Sequence, residues 1–414
     1  MAEPTERRYS SGNPRPDAPT VLKGIRVLDL ATMVAGPLCA NLLADFGAEV
    51  IKVEQPGVGD TLRGTLPSIE GTSLWWVVEG RNKRSITLNL RVPEGQELAR
   101  RLVAVSDVLI ENFLPGTMDS WNLGFDRLRA INPRLVVTSV SGFGQTGPLR
   151  RKHAYDRIAV AMGGWSHVTG DPDRPPGRPG FVLADYGTGY TAALGTMMAL
   201  YYRDAQAGTG QQVDASLIDT AIRVTDRLIP AYDRLGQIRT RTGIRHPNTA
   251  PGDHFPTRDG GYVSVSASNN RMFGRLAQAM GQPELIEDPR FNSPQNRTKH
   301  TELVHQIVTD WTLRHDRDEV VRMLEENGVP AGPVYTVEDI VREPHFIERE
   351  MVLEVEDPSI GPVKIPGITP KLSETPGRIW HGAPRLGEAN REIYCGLLGL
   401  SEADLDRLEA AGVI

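Results

Sequence analysis

Residues 24–54 read GIRVLDLATMVAGPLCANLLADFGAEVIKVE, and this stretch decides the fold. Residues 25–30 are an apolar run suited to a buried strand. Ala35-Gly36-Pro37 then opens a helix through Phe46, with proline in the first turn, where its missing N–H removes no helical hydrogen bond. Gly47 ends that helix, and residues 49–53 supply the next strand. Strand, helix and strand within so short a span form a βαβ unit, and its two strands run parallel.

The same rhythm continues outward. Strands are expected at residues 85–90, 107–111 and 135–140, with a helix at 93–105 and a glycine turn at Gly142-Phe143-Gly144. Helices at 155–167 and 186–203 flank a turn-rich segment, and a strand at 212–215 leads into a helix at 217–228. Such alternation implies the α/β class, a Rossmann-like large domain with a parallel sheet covered by helices. Residues 238–256 break the pattern. They hold few apolar runs and carry Arg239, Arg241, Arg245 and His246, as a crossing linker would. Beyond them a strand at 262–266 and helices near 271–280, 301–313 and 317–327 suggest a smaller α+β domain. The expected division is a disordered leader at 1–20, a large domain at 21–230, a linker at 231–256, a small domain at 257–345 and a return segment at 346–414. The last helix, near 401–411, begins with Ser401 as its cap.

Composition narrows the function. With 414 residues, 39% hydrophobic and 24% charged, the chain falls among soluble globular proteins of two domains. A net charge of -6, with Lys and Arg dispersed, argues against nucleic acid. Cys39 and Cys395 stand alone, so neither a disulfide framework nor a metal site is encoded, and a reducing cytoplasm fits best. No apolar run reaches the roughly 18 residues of a membrane helix.

Several catalytic motifs are missing: H-E-x-x-H, G-x-S-x-G and the P-loop signature do not occur. The first βα turn, residues 29–37, presents backbone N–H groups at a helix start but lacks G-x-G-x-x-G. Without that fingerprint, Glu54 reads as a solvated strand end rather than a ribose-binding acid. Residues 179–190, PGFVLADYGTGY, are more specific. Asp185 follows four uncharged residues and opens an apolar helix, as an N-cap or as a reactive group. Gly187 and Gly189 in that first turn weaken the helix while admitting another backbone or a ligand, a use that a plain cap does not need.

These features, with Ala35-Gly36-Pro37, residues 47–54, residues 82–86, Glu111-Asn112-Phe113 ahead of Pro115-Gly116, and residues 208–211, resemble the class III CoA-transferase family from about Gly24 to the C-terminus. The resemblance implies that Asp185 is the nucleophile, that a CoA thioester is the substrate with no cofactor, and that the chain forms an interlocked dimer, homomeric or heteromeric. It implies CoA contacts at Val34, Ala35, Leu88, Asn89, Leu90, Arg91, Asn112, Phe113, Leu114, Lys152, His153, Ala154, Tyr155 and Asp156. N–H groups near Val34 and Ala35, or of the glycines after Asp185, are the expected oxyanion donors. Gln55 and Ser120 stand where family members often carry Arg, which shifts the phosphate clamp to Arg91, Arg151 or Lys152.

Residues 82–90, 229–232 and 370–377 look like the succinyl-CoA:malate and citramalate branch, which implies succinyl-CoA as donor and a small dicarboxylate as acceptor. Arg239, Arg241, Arg245 and His246 are then candidates for the acceptor's second carboxylate, since guanidinium grips carboxylate bidentately. A 2-methylacyl-CoA racemase of the same superfamily is the rival. Its extra His is matched by Tyr155, and its Asn by Phe181, although His153 lies near. A subunit dependent on a partner for activity is the other alternative.

Overall fold

The computed structural model describes residues 18–245 and 249–414, so residues 1–17 of the expected leader, and His246, lie outside the described residues. Two compact units emerge. One takes the described residues up to Trp165, with Pro179–Ile229 and Arg342–Ile414; the other takes Ser166–Arg178 and Pro230–Val341.

In the first unit the strands up to residue 216 are β1 (Arg26–Asp29), β2 (Glu49–Glu54), a small hairpin of β3 (Ser68–Ile69) and β4 (Thr72–Ser73), then β5 (Lys83–Thr87), β6 (Val108–Glu111), β7 (Val136–Ser141) and β8 (Gln212–Ser216), and the return segment adds a hairpin of residues Val352–Asp357 and Gly361–Pro366. Its helices up to residue 223 are α1 (Ala35–Asp45), α2 (Leu74–Glu79), α3 (Pro93–Ala104), α4 (Thr117–Ser120), α5 (Phe125–Ile131), α6 (Asp156–Met162), α8 (Leu183–Tyr202) and α9 (Leu217–Arg223), while the short α7 (Trp165–Val168) falls where the chain passes from the first unit to the second. Six strands make one parallel sheet in the order β5-β2-β1-β6-β7-β8. The chain works outward from β1 in one direction, then returns to start again at β6. Its direction therefore reverses between β1 and β6, and a crevice opens beyond their carboxyl ends.

Both sheet faces are buried, which is why the strands read as apolar runs. Leu28, Ile51, Ile86, Leu109 and Val137 form a core with α3, α5 and the C-terminal residues; Val27, Val50, Val108, Ile110 and Val136 form another with α1 and α8. Each such side chain contributes about 1.5–3 kcal/mol on burial. The return segment joins the first core, where the Tyr394 hydroxyl donates to the Thr87 carbonyl at 2.7 Å. Ser401 caps the last helix, Glu402–Ala410, in a reciprocal box with Asp404.

Several local expectations change. Gly163 and Gly164, the latter at φ +84°, split the expected 155–167 helix into α6 and α7. Glu54 is no solvated strand end. It is 4% exposed, accepts two hydrogen bonds from Arg63 at 2.7 Å and one from Ser85 at 2.6 Å, because the loop after β2 folds back over it.

The second unit carries an antiparallel sheet of β9 (Gly252–Pro256), β10 (Tyr262–Ser266) and β11 (Ala331–Pro333), in the order β11-β10-β9. Residues 252–256, expected as linker, are thus an edge strand: Asp253 and Phe255 face inward, and the polar Asp253 disguises the alternation. Arg297 is fully buried and donates to the carbonyls of Ala250, Ser268 and Phe291 and to Asn270, with its guanidinium over the Phe273 ring.

Candidate active site

The turn between β1 and α1 is held by side chains at each of its first residues. Ala31 donates to Asp29 at 3.1 Å, and Lys52 donates to the Ala31 carbonyl. Asn112, just past β6, pairs with both backbone groups of Thr32, at 2.9 and 2.7 Å, and so bridges the crevice. Met33, at φ +67°, donates to Asp60 at 3.0 Å. Beneath the turn, Lys52 pairs with Asp60 at 2.9 Å and Lys83 with Asp29 at 3.0 Å, all four side chains fully buried. Burial works against the Lys52 charge, but Asp29, Asp60 and Glu54 outweigh it and hold the ammonium above its ordinary range. Val34, Ala35 and Gly36 come next, and their N–H groups have no acceptor among the described residues. These bare donors and the helix dipole favour negative charge.

Asp185 sits on α8, whose start is arranged differently. It is the third residue of that helix, with Val182 before the first turn, so Asp185 is not the N-cap. Asp156, 5% exposed at the head of α6, does the capping: one of its oxygens accepts from Ala184 at 2.8 Å and from Asp185 at 3.3 Å. Leu183 and Tyr186 donate to the carbonyls of Phe181 and Val182. The first turn of α8 therefore has no free donor, and the glycines after Asp185 bond within the helix. Burial first, and the nearby Asp156 charge second, push the Asp185 carboxyl up to about 7.

Gly189 brings the two helix starts together. A Cβ there would stand 2.9 Å from the Ala35 carbonyl oxygen and 2.7 Å from Leu38, whereas one at Gly187 would meet only a Thr220 methyl at 3.2 Å. The expected close approach is made at Gly189, by the backbone and Leu38 side chain of α1. From the other side, the Tyr186 hydroxyl donates to the buried Glu79 at 2.8 Å and accepts from Trp75 at 3.3 Å.

A cavity of about 340 Å³ fills the crevice. Val34, Ala35, Asn112, Phe113, Leu114, Lys152, His153, Ala154, Tyr155 and Asp185 all line it, and among the described residues Asp185 is the only carboxylate on its wall. The apolar Val140 and Leu217 also line it, and Thr32, Met33, Thr61, Ser141, Gly142 and Arg150 add its remaining lining. The sequence reading passed over these eight; the basic run 150–152 and the glycine turn after β7 were the available signals. A second cavity of about 210 Å³ beyond β2 and β5 gathers Leu88, Asn89, Leu90 and Arg91, with Phe113 and Trp121 packed edge to face. There Arg91 donates to Gln55 at 3.2 Å. Asp156 stands behind the wall as a cap. Arg239, Arg241 and Arg245 belong to the second unit, where Arg241 donates to the Asp171 carbonyl and Arg245 pairs with Glu302. Among the described residues no cluster of three His, Cys, Asp or Glu groups forms a metal site, and no helix is long and apolar enough to cross a membrane.

Known proteins share both sequence and fold with this chain. A succinyl-CoA–D-citramalate CoA-transferase of Chloroflexus aurantiacus is 47% identical, over 96% of this chain and 98% of its own. The beta subunit of a succinyl-CoA–L-malate CoA-transferase of the same organism is 42% identical, over 95% and 98%. The crystal structure of a CaiB/BaiF family protein from Brucella suis superposes with a TM-score of 0.83 at 36% identity, over 91% of this chain and 99% of that one. The model of CoA-transferase family III matches residues 22–390, and the chain belongs to that family, as an enzyme that transfers coenzyme A.

Proposed function

We propose that the enzyme moves CoA from succinyl-CoA to a small dicarboxylic acid of the malate and citramalate type, with Asp185 carrying the acyl group. One observation carries this reading: among the described residues Asp185 is the only carboxylate on a cavity wall that also bears the unpaired N–H groups of Val34 and Ala35. An Asp185 oxygen attacks the thioester carbonyl, the C–S bond breaks, and CoA leaves as thiolate. The thiolate then attacks the Asp185 carbonyl carbon of the anhydride, expels succinate and leaves an aspartyl-CoA thioester. The acceptor carboxylate attacks the carbonyl of that thioester, its C–S bond breaks, and CoA leaves again as thiolate beside a second anhydride. Thiolate attack on the acceptor's carbonyl releases the new thioester and restores Asp185. No step consumes a proton. Each tetrahedral intermediate carries an oxyanion, and bare donors at a helix start suit it. Lys152 and Arg150, cations on the same wall, are the nearest partners for CoA phosphate and for the acceptor's second carboxylate.

The working form we propose is a homodimer in the cytoplasm. Tyr190, Leu194, Met198 and Tyr201, spaced three or four residues apart on α8, are 45–66% exposed, an apolar stripe suited to a second copy. Sedimentation of the purified chain tests this, and a monomer with full activity rejects it.

Incubation with succinyl-CoA, a hydroxylamine quench and peptide mass spectrometry test the mechanism. Modification is expected on the Asp185 peptide alone. No adduct, together with turnover retained in Asp185→Ala, rejects the reading. His153 on the cavity wall favours a second reading, racemisation of a 2-methylacyl-CoA. Solvent deuterium appearing at the α-carbon of such a substrate would establish it.

A further inference from the structure

We propose that Asp60, paired with Lys52, is a positioning residue for transfer: it locks the turn of residues 32–35 so that the Val34 and Ala35 N–H groups meet the carbonyl attacked by Asp185. The inference rests on Asp185 as nucleophile. It begins from Met33, whose positive φ of 67° a side chain adopts under strain and keeps only when its surroundings hold it. Asp60 does the holding. One of its oxygens accepts from Met33 at 3.0 Å and from Leu62 at 2.9 Å, while Lys52 stands 2.9 Å from the other. The Asp60 backbone N–H donates to Glu54 at 2.8 Å, which ties the acid to the end of β2. Lys52 also donates to the Ala31 carbonyl. One ion pair thus grips the turn on both sides of Thr32, and both of its side chains are fully buried, so water does not loosen the grip.

Stability alone gives a poor account of this pair. Buried charges are expensive to desolvate, and apolar residues of similar size usually stabilise a fold as well or better. What leucine and methionine cannot supply at these positions is two directed hydrogen bonds to the turn. The residues that follow have bare N–H groups and line the cavity with Asp185. Donors that stabilise a developing oxyanion must be held in place before the reaction, and an error near 1 Å costs on the order of 10²-fold in rate.

Two double variants separate positioning from folding. Lys52→Met with Asp60→Leu removes the buried charges and Met33's acceptor; Lys52→Met with Asp60→Asn removes the charges but keeps an oxygen for Met33. The expected result is a kcat about 10- to 100-fold lower in the leucine pair than in the asparagine pair, with equal melting temperatures and equal affinity for free CoA by calorimetry. Equal kcat in the two pairs overturns the proposal, and so does a parallel loss of kcat and CoA affinity in the leucine pair. Asp60→Glu, which keeps the charge beside Lys52 and moves its oxygens by one methylene, covers a failure of the pairs to fold. It is expected to lose kcat and keep CoA affinity, and a wild-type kcat overturns the proposal. The two readings fail separately: a missing Asp185 adduct in the wild-type enzyme rejects the nucleophile, whereas undiminished kcat in Asp60 variants of an enzyme that is labelled rejects only the positioning role.

Discussion

Gly189→Ala tests how Asp185 is brought to α1. The added Cβ would lie 2.9 Å from the Ala35 carbonyl oxygen and 2.7 Å from Leu38 Cδ2, against a comfortable separation of about 3.5 Å for non-bonded heavy atoms. Leu38 can turn aside, but the Ala35 oxygen is helix backbone, so α1 and α8 must part by roughly half an ångström. Overpacking of this kind costs about 1–3 kcal/mol, and alanine's better helix propensity returns up to about 1 kcal/mol. A net loss of about 1–2 kcal/mol is expected in urea melts. Asp185 lies one turn earlier on the same helix, so its distance from the Val34 and Ala35 donors grows and kcat falls by about 10-fold or more. Gly187→Ala is the control. Its Cβ meets only the Thr220 methyl at 3.2 Å, and stability and kcat should both stay near wild type. If Gly189→Ala melts like the wild type and turns over at a similar rate, the close helix approach does not place the nucleophile and the reasoning is refuted.

Other outcomes follow from the electrostatics and the core. Because the Asp185 carboxyl is raised to about 7, kcat/KM should climb with pH through an acid limb centred near there, as the carboxylate forms. The same shift has a stability sign. Between the ordinary carboxylate range and about 7 the folded protein holds a proton that the unfolded chain has lost, so this group's contribution to stability falls as pH rises through that window. Asp185→Asn should therefore abolish transfer yet melt higher than the wild type at pH 8, with little difference at pH 4. Asp156→Asn keeps an oxygen to cap α8 but removes the repelling charge, so the acid limb should move to lower pH; an unmoved limb counts against the assignment. In the second unit, Arg297→Met strips donors from two buried carbonyls and a partly buried third, and should cost about 3 kcal/mol by denaturant titration. Lysine there should not rescue it, since a single ammonium cannot reach oxygens spread around a planar fork.

The βα rhythm was legible because parallel strands buried on both faces appear as short apolar runs, and helices between them announce themselves by proline, glycine and period. What stayed hidden was long-range pairing. Lys52 and Glu54 alternate with Ile51 and Val53, the local pattern of a strand with a wet face, yet that face is covered, and their partners Asp60, Arg63 and Ser85 come from later segments. Asp156 follows the cavity-lining Tyr155 and shares its neighbourhood in sequence, but its carboxylate turns inward to α8, 28 residues on. Asp185 stood out in the sequence through its glycines and its family landmarks, and it lines the cavity. The geometric reason for those glycines, the α1 backbone against Gly189, needs two helices that no local window contains.

The two helix starts at this site divide the electrostatic work. A carboxylate in the first turn of a helix is ordinarily stabilised by free N–H groups and by the dipole, which lowers its pKa and blunts it as a nucleophile. Here Asp156 occupies two of the α8 donors and adds a like charge, so Asp185 gains little from its own helix and stays basic. The bare donors belong to α1 instead, and on the proposed mechanism they serve the negative charge that accumulates only after attack. Nucleophile and oxyanion are thus served by different helices, and the two properties should separate by mutation. Changes at Asp156 should move the pH at which the enzyme works with little effect on the plateau rate, whereas changes at Asp60 should lower the plateau and leave the pH midpoint where it is. A variant at either position that moves both together would show that the helix starts act as one unit.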